Sequence, residues 1–238
     1  VSGETIDYGP CAFMDTYRPG MVFSSIDQFG RYSYVNQPGS AGWNLTRFAE
    51  TLVPLLDADQ DDAIAKAEAA LRQFQVAYEA TFHAGLRRKL GLLEEREGDL
   101  TLISDLFEIM DRHEADFTLT FRTLSGHAGD EGGGPTRDLF KEPEAFDAWW
   151  SRWRERLAEE PQHDAARRGA MLGANPKHIP RNHRVEAVIR AAVDRGDFAP
   201  FEEMLAVLSQ PFEEQPGMER YAEPPRPEER VTQTFCGT

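Results

Sequence analysis

The residues with most to offer chemically are Ile6-Asp7-Tyr8-Gly9-Pro10. Val1 to Asp7 is a short segment able to close as a β-strand, and an Asp at its end, followed by an aromatic and a Gly, presents a carboxylate at a sharp turn. Mg²⁺ is a hard cation that takes oxygen ligands and bridges nucleotide phosphates, so a carboxylate is the group such chemistry needs there. Gly9 lets the chain reverse behind it. Alone the tripeptide is unspecific, because an Asp that only caps a turn has the same letters. Other candidates read blandly. His113-Glu114 lies near Asp116 but forms no H-E-x-x-H, and is read as a solvated helix end. Gly129-Asp-Glu-Gly-Gly-Gly-Pro135 lacks the Lys-Ser/Thr ending of a phosphate loop and is read as a surface loop. His163 and His178 sit in polar, loop-like surroundings and are expected to be exposed. Cys11 and Cys236 are too few for a disulfide framework or a zinc site.

The elements that must position these residues are mostly helical. From Gly9 to Gly39 repeated Pro and Gly exclude a long helix, yet Phe13, Tyr17, Phe23, Phe29, Tyr32 and Tyr34 are many aromatics for a linker. That combination predicts a long loop packed on a scaffold. After Ser40, Trp43, Leu45, Phe48 and Leu52 follow helical spacing, with Pro54 near the end. A longer helix is expected over about 61–90, with Ile64, Ala67, Leu71, Phe74, Tyr78, Phe82 and Leu86 as one apolar stripe. Asp59 to Asp62 suit its positive N-terminus, and Arg87 to Lys89 its negative end. Further helices are expected at about 99–112, 114–124, 143–159, 182–195 and 198–209. Phe146, Trp149, Trp150, Trp153 and Leu157 share one face, read as core rather than as a base-stacking platform. Beyond Pro211 the composition turns to Pro, Glu and Arg, which predicts an extended tail whose apolar tip, Phe235-Cys236, docks back on the body.

Charge narrows the function. With 26 Lys+Arg against 41 Asp+Glu, the formal net charge is -15, which disfavours nucleic acid as a partner. No apolar run is long enough for a transmembrane helix, so no membrane partner is expected. Val1 opens the chain without Met, basic stretch or apolar run, which reads as a fragment or processed boundary. The expected compartment is cytoplasmic and reducing.

Thr5 to Asp15, Tyr17-Arg-Pro19, Phe23 to Asp27, Gly30 to Tyr34, Asn36-Gln-Pro38 and Trp43-Asn-Leu45 together closely resemble the selenoprotein O (SelO/YdiU) family. Asp116 to Arg122, Met171 to Lys177 and Arg181-Asn182 resemble it too, so the likeness spreads over essentially the whole chain. It implies a kinase-like fold that transfers AMP from ATP to Ser, Thr or Tyr hydroxyls of protein substrates. Asp7 would then be a ligand of Mg²⁺ (or Mn²⁺) and of the nucleotide. The Asp-Asn pair that supplies the family's base and second metal ligand would fall just before Val1, and the phosphate-contacting Lys farther upstream. The missing N-terminal part of the same protein would therefore be a partner, and the isolated chain incomplete as a catalyst. Arg31 and Arg122 would form structural ion pairs with activation-segment carboxylates. Cys236 matches the family's selenocysteine or cysteine position and so is a redox candidate. Cys11 is its only partner here, but some members carry a cysteine near the place of Phe23; pairing and two free thiols both stay open.

The resulting expectation is a mostly α chain, the C-terminal lobe of a kinase-like fold with an activation segment and appended helices. Residues 1–40 would be the metal-binding strand and activation-segment-like loop, 41–210 the helical lobe, and 211–238 the tail. The rival reading is a non-catalytic helical interaction module or a truncated gene product.

Overall fold

The structure, a computed structural model, describes residues 12–129 and 133–234. The strand expected at Val1 to Asp7, and with it Asp7, Cys11 and Cys236, lies outside the described residues. Within them the fold is mostly helical and contains no strand, only an isolated antiparallel bridge between Thr16 and Asp116.

Helix α1, Gln37–Leu56, carries Pro54 in its last turn and gives way to extended backbone at Asp57. Helix α2, Gln60–Lys89, starts where the Asp59 carboxylate accepts from the N–H groups of Asp61 (2.9 Å) and Asp62 (3.1 Å). That satisfies donors a helix start otherwise leaves unpaired. The two helices pack on each other through the short link Asp57–Asp59. The apolar stripe of α2 is only partly covered: Ala63, Ala67 and Leu86 are buried, whereas Ile64 and Phe82 stay exposed.

Helix α3, Asp99–His113, ends on Glu114 in the left-handed region, at φ 55°. This break explains why the next helix, α4, spans Phe117–His127 instead of starting at 114. The Asp116 carboxylate caps it, accepting from Leu119 N–H at 2.8 Å. Helix α5, Gly134–Arg137, is a single turn, so the loop expected through Pro135 is closed by helix at its end. Helix α6 spans Pro143–Ala158. Helix α7, Asp164–Ala174, was not anticipated: Arg167-Arg168-Gly169-Ala170 offers too few large apolar residues to show a stripe, yet Arg167 and Met171 are buried. Helices α8, Asn182–Arg195, and α9, Ala199–Leu208, fall where expected.

The main core joins α3, α4 and α6. Trp149 and Trp153 stack at 5.5 Å and are almost completely buried. Each indole N–H donates to a backbone carbonyl, Trp149 to Leu102 (2.8 Å) and Trp153 to Leu90 (3.0 Å). Burying such rings is favourable only because those donors are satisfied. Gly91 permits the approach of α7: at φ 73° an added Cβ would sit 2.7 Å from the Met171 sulfur. A second, smaller cluster joins Val188 of α8, Met204 and Val207 of α9, and Tyr221.

Past Pro211 the chain forms single turns at Glu219–Tyr221 and Pro227–Glu229, and Tyr221 and Ala222 are buried. It then reaches the aromatic loop: Thr234 Oγ1 donates to the Phe23 carbonyl (2.9 Å), and Ser25 N–H donates to the Thr234 carbonyl (2.7 Å). No helix among the described residues is long and apolar enough to cross a membrane.

Trp153→Ala should destabilise the chain by about 3–5 kcal/mol, the range for large aromatic truncations in a core. Urea unfolding followed by far-UV circular dichroism reads this directly; a loss below about 1 kcal/mol would mean the ring is not core.

Candidate functional site

The segment 13–17 is fixed to the helical body at several points. Asn182 and Phe13 exchange two hydrogen bonds: Phe13 N–H donates to Asn182 Oδ1 (3.2 Å), and Asn182 Nδ2 donates to the Phe13 carbonyl (3.0 Å). Phe117 N–H donates to the Asp15 carbonyl (2.7 Å), and Tyr17 N–H to that of Ala115 (2.9 Å). At the centre stands Arg181, with no exposed side-chain surface. Its guanidinium pairs with the carboxylates of Asp15 and Asp116, at 2.8 Å for the latter, and its Nε donates to the Ala222 carbonyl (3.0 Å). The planar fork of Arg suits it to engage several acceptors at once. Tyr17 stacks on Phe107 (4.9 Å) and Phe117 (5.8 Å), and burial pushes its hydroxyl up to about 12.

Between this segment and the body lies a cavity of about 1180 Å³, lined by Ala12–Met14, loop residues Phe23 to Tyr34, and Lys89, Phe117 and Phe121. Its wall is largely apolar. Lys89 is the cation of its floor: Nζ donates to Asn175 Oδ1 (3.0 Å) and lies 4.8 Å from the centre of the Phe121 ring. Burial pulls the Lys89 ammonium down to about 8. By sequence Lys89 is only a residue of the last, basic turn of α2; nothing in its spacing marks a cavity floor.

Several expected roles fall differently. Arg122 pairs with Glu214 of the tail (2.7 Å), rather than with a carboxylate of the aromatic loop, and donates to the Asn175 carbonyl (3.0 Å). Lys177 and Arg122 together hold Glu214 down to about 2. Arg31 stacks over Trp43 at 4.3 Å and pairs with no carboxylate among the described residues. Asp15 of the loop pairs with Arg181 instead, a residue that the motif Arg181-Asn182 contained without revealing its partners. His178 is buried, contrary to its expected exposure, because Lys177 and His178 both donate backbone N–H groups to the Pro211 carbonyl and tuck the ring under the tail. His113 is buried rather than solvated: its Nδ1 accepts from Glu142 N–H (3.2 Å) at the start of α6. His163 is exposed, as expected, and caps α7. No group of three or more His, Cys, Asp or Glu among the described residues is placed to hold a metal ion.

Two predictions follow from this geometry. Arg181→Met strands two neighbouring carboxylates and the Ala222 carbonyl, so the chain should lose about 3–5 kcal/mol in urea unfolding, as when one partner of a buried ion pair is removed. Arg181→Lys should recover only part of it, since one ammonium cannot reproduce the fork. The second concerns acid. Burial lowers both His178 and His183 from 6.5; Lys177 and Arg122 face the first ring together with Glu214 and Glu219, and Arg184 and Arg181 face the second together with Asp15 and Glu229. Each ring binds fewer protons folded than unfolded, so its neutral burial stabilises above about pH 6.5 and that contribution drains away as pH falls below it. The urea midpoint should therefore fall between pH 7 and pH 5.5, a window too high for Glu214. His178→Phe should flatten the fall, as both ring nitrogens of His178 lack a hydrogen-bond partner and lose nothing on replacement.

Comparison with known proteins agrees with the sequence motifs. The family described as "Protein adenylyltransferase SelO" matches residues 1–209. Proteins named protein nucleotidyltransferase YdiU are 62% identical in Rhodopseudomonas palustris (strain BisB18) and 59% in Bradyrhizobium sp. (strain BTAi1), each over 238 residues. One from Rhizobium johnstonii is 55% identical over 239 aligned residues. In each case all of this chain is aligned but only 48% of the relative, so the chain spans about half the length of the curated relatives it matches. A match over residues 1–209, most of its length, makes this chain a member of the SelO protein adenylyltransferase family.

Proposed function

We propose that this chain is the C-terminal part of an ATP- and Mg²⁺-dependent protein adenylyltransferase that moves AMP to Ser, Thr or Tyr hydroxyls of proteins. The observation carrying this reading is the family match over residues 1–209. The stapling of residues 13–17 to the body supports it, because catalysis of this kind is chiefly positioning and charge neutralisation. Residues 1–40 would form the metal-binding strand and activation segment of a kinase-like lobe, 41–210 its helical body with appended helices, and 211–238 its tail.

In the reaction the acceptor oxygen attacks the α-phosphorus of ATP, the α–β phosphate link breaks, pyrophosphate leaves, and the hydroxyl proton passes to a base. That base, like most phosphate-contacting groups, would come from outside these 238 residues. Mg²⁺ would supply charge neutralisation at the phosphates, and Asp7 would be one of its oxygen ligands. The described residues do not complete its ligand set. The role of this chain's own residues is to hold the backbone after Asp7 in place, through Phe13 and Asp15. Cys236 would bring a thiol to the aromatic loop that Thr234 already touches, with Cys11 its available partner. The enzyme would work in the cytoplasm on ATP and protein substrates, without nucleic acid or membrane.

A second reading, a non-catalytic helical interaction module, is favoured by one observation: α1 and α2 leave Trp43, Phe48, Leu55 and Val76 exposed.

Asp7→Ala in a chain of full family length should abolish transfer of labelled AMP to a protein acceptor; near-normal transfer would remove Asp7 from the mechanism. The 238-residue chain alone should give no saturable heat with Mg-ATP in calorimetry, and a micromolar site there would place the nucleotide pocket within this chain. An inactive chain of family length, carrying the wild-type residues, would favour the interaction module.

A further inference from the structure

The cavity floor presents an unusual balance of charge. A Lys ammonium has three donor hydrogens. Here one meets Asn175 Oδ1, two aromatic faces lie at 4.8 Å (Phe121) and 5.8 Å (Phe117), and no carboxylate among the described residues pairs with it. The orientation of the Asn175 amide is set by its other end: Nδ2 donates to the Lys89 carbonyl (2.8 Å) and to Ser125 Oγ (2.8 Å). Oδ1 must therefore face the ammonium, and Asn175 itself is completely buried. Lys89 is thus held in place by its own backbone, through one amide. The one acid lining the cavity among the described residues, Asp27, is spent elsewhere: its two oxygens accept from the N–H groups of Arg31 (2.9 Å) and Tyr32 (2.8 Å).

From this geometry we infer that the cavity is a binding site for a carboxylate borne on an apolar body, with Lys89 as the receptor of the anion. The walls supply the rest: Phe13, Phe23, Phe29, Ile179 and the Phe117–Phe121 pair offer apolar surface for an aromatic or aliphatic body. A carboxylate fits better than a phosphate, because the floor offers one ammonium and one neutral neighbour, while Arg31, the other described cation lining the cavity, lies over the Trp43 ring at 4.3 Å; a dianion would need further donors. Burial, which lowers Lys89 to about 8, still leaves the ammonium mostly protonated at neutral pH and raises the gain from any anion that reaches it. The carboxylate has two conceivable sources, an acidic side chain flanked by apolar residues in a chain of full family length, or a free small molecule. Both present the same chemistry to Lys89.

The test titrates the 238-residue chain at pH 7 with 3-phenylpropionate and, separately, with the neutral 3-phenylpropanol, following backbone amide shifts by NMR. The acid should bind saturably, shift residues around Ala12–Met14 and Phe121, and be preferred over the alcohol by about tenfold or more, as for a hydrogen bond to a charged group. Lys89→Met should erase that preference while leaving the alcohol's binding in place. A second readout needs no variant: bound acid should protect Lys89 from an amine-acylating reagent, scored by peptide mapping. Absence of saturable binding, equal affinity for acid and alcohol, or an undiminished preference in Lys89→Met would each overturn the inference. Repeating the titration on a chain of family length separates the sources. Refusal of the acid there places the carboxylate within that longer chain, and retained binding makes it a free ligand.

Discussion

One guanidinium organises this protein. Arg181 is fully buried and reaches three parts of the chain far apart in sequence: Asp15 in the loop ahead of α1, Asp116 at the start of α4, and Ala222 in the tail. A buried cation is tolerated only when its partners are close and its donors are engaged, and here each of the three guanidinium nitrogens donates at least one hydrogen bond. The arrangement is demanding because Asp116 has a second duty, capping α4 through Leu119 N–H. Rotating that carboxylate to serve one partner would forsake the other. Helix α4, the aromatic loop and the tail are therefore held in one relative placement by groups that cannot move independently.

The apolar parts of the fold complement this fixed point. Around it Tyr17, Phe107, Phe117 and Phe121 form a continuous aromatic contact that seats the loop on α3 and α4. On the far side of α3, the Trp149–Trp153 stack fills the main core, with both indoles tied to backbone carbonyls. Polar ties at the ends of apolar contacts recur: Arg156 joins Asp99 of α3 at 2.7 Å, and Asn175 joins α2, α4 and the end of α7. Dispersion and burial supply the attraction, while these directional bonds choose a single packing among many compact ones.

How much of this was legible in the sequence depends on which physical signal each feature uses. Helix α2 announced itself by length, an acidic opening and a basic end; α6 did so by five large residues on one face. Helix α7 did not, because it buries an Arg stem and one Met rather than an apolar stripe. His178 reads as exposed in sequence for a related reason: its neighbours are polar, but burial is imposed by the Pro211 turn, distant in sequence. Arg122 makes an ion pair, but not with a carboxylate of the loop: its partner Glu214 lies in a tail whose composition suggests no fixed position. Asp7, Cys11 and Cys236 were read from motif and resemblance alone, and lie outside the described residues.

The tail shows why composition is a poor guide here. Pro-rich, acidic sequence cannot build a core of its own, and residues 211–234 do not. They lean instead on groups the body has already fixed. Tyr221 completes the cluster of α8 and α9, Ala222 caps Arg181, Glu214 pairs with Arg122 and Lys177, and Thr234 bonds to Phe23 and Ser25. Each contact is small, but the entropy of ordering the segment is offset at several points rather than one. Because Arg181 and Thr234 lie at opposite ends of these contacts, and both touch the chain that follows Asp7, a change in the tail must be felt at the aromatic loop. The coupling runs through shared hydrogen bonds, not through proximity alone.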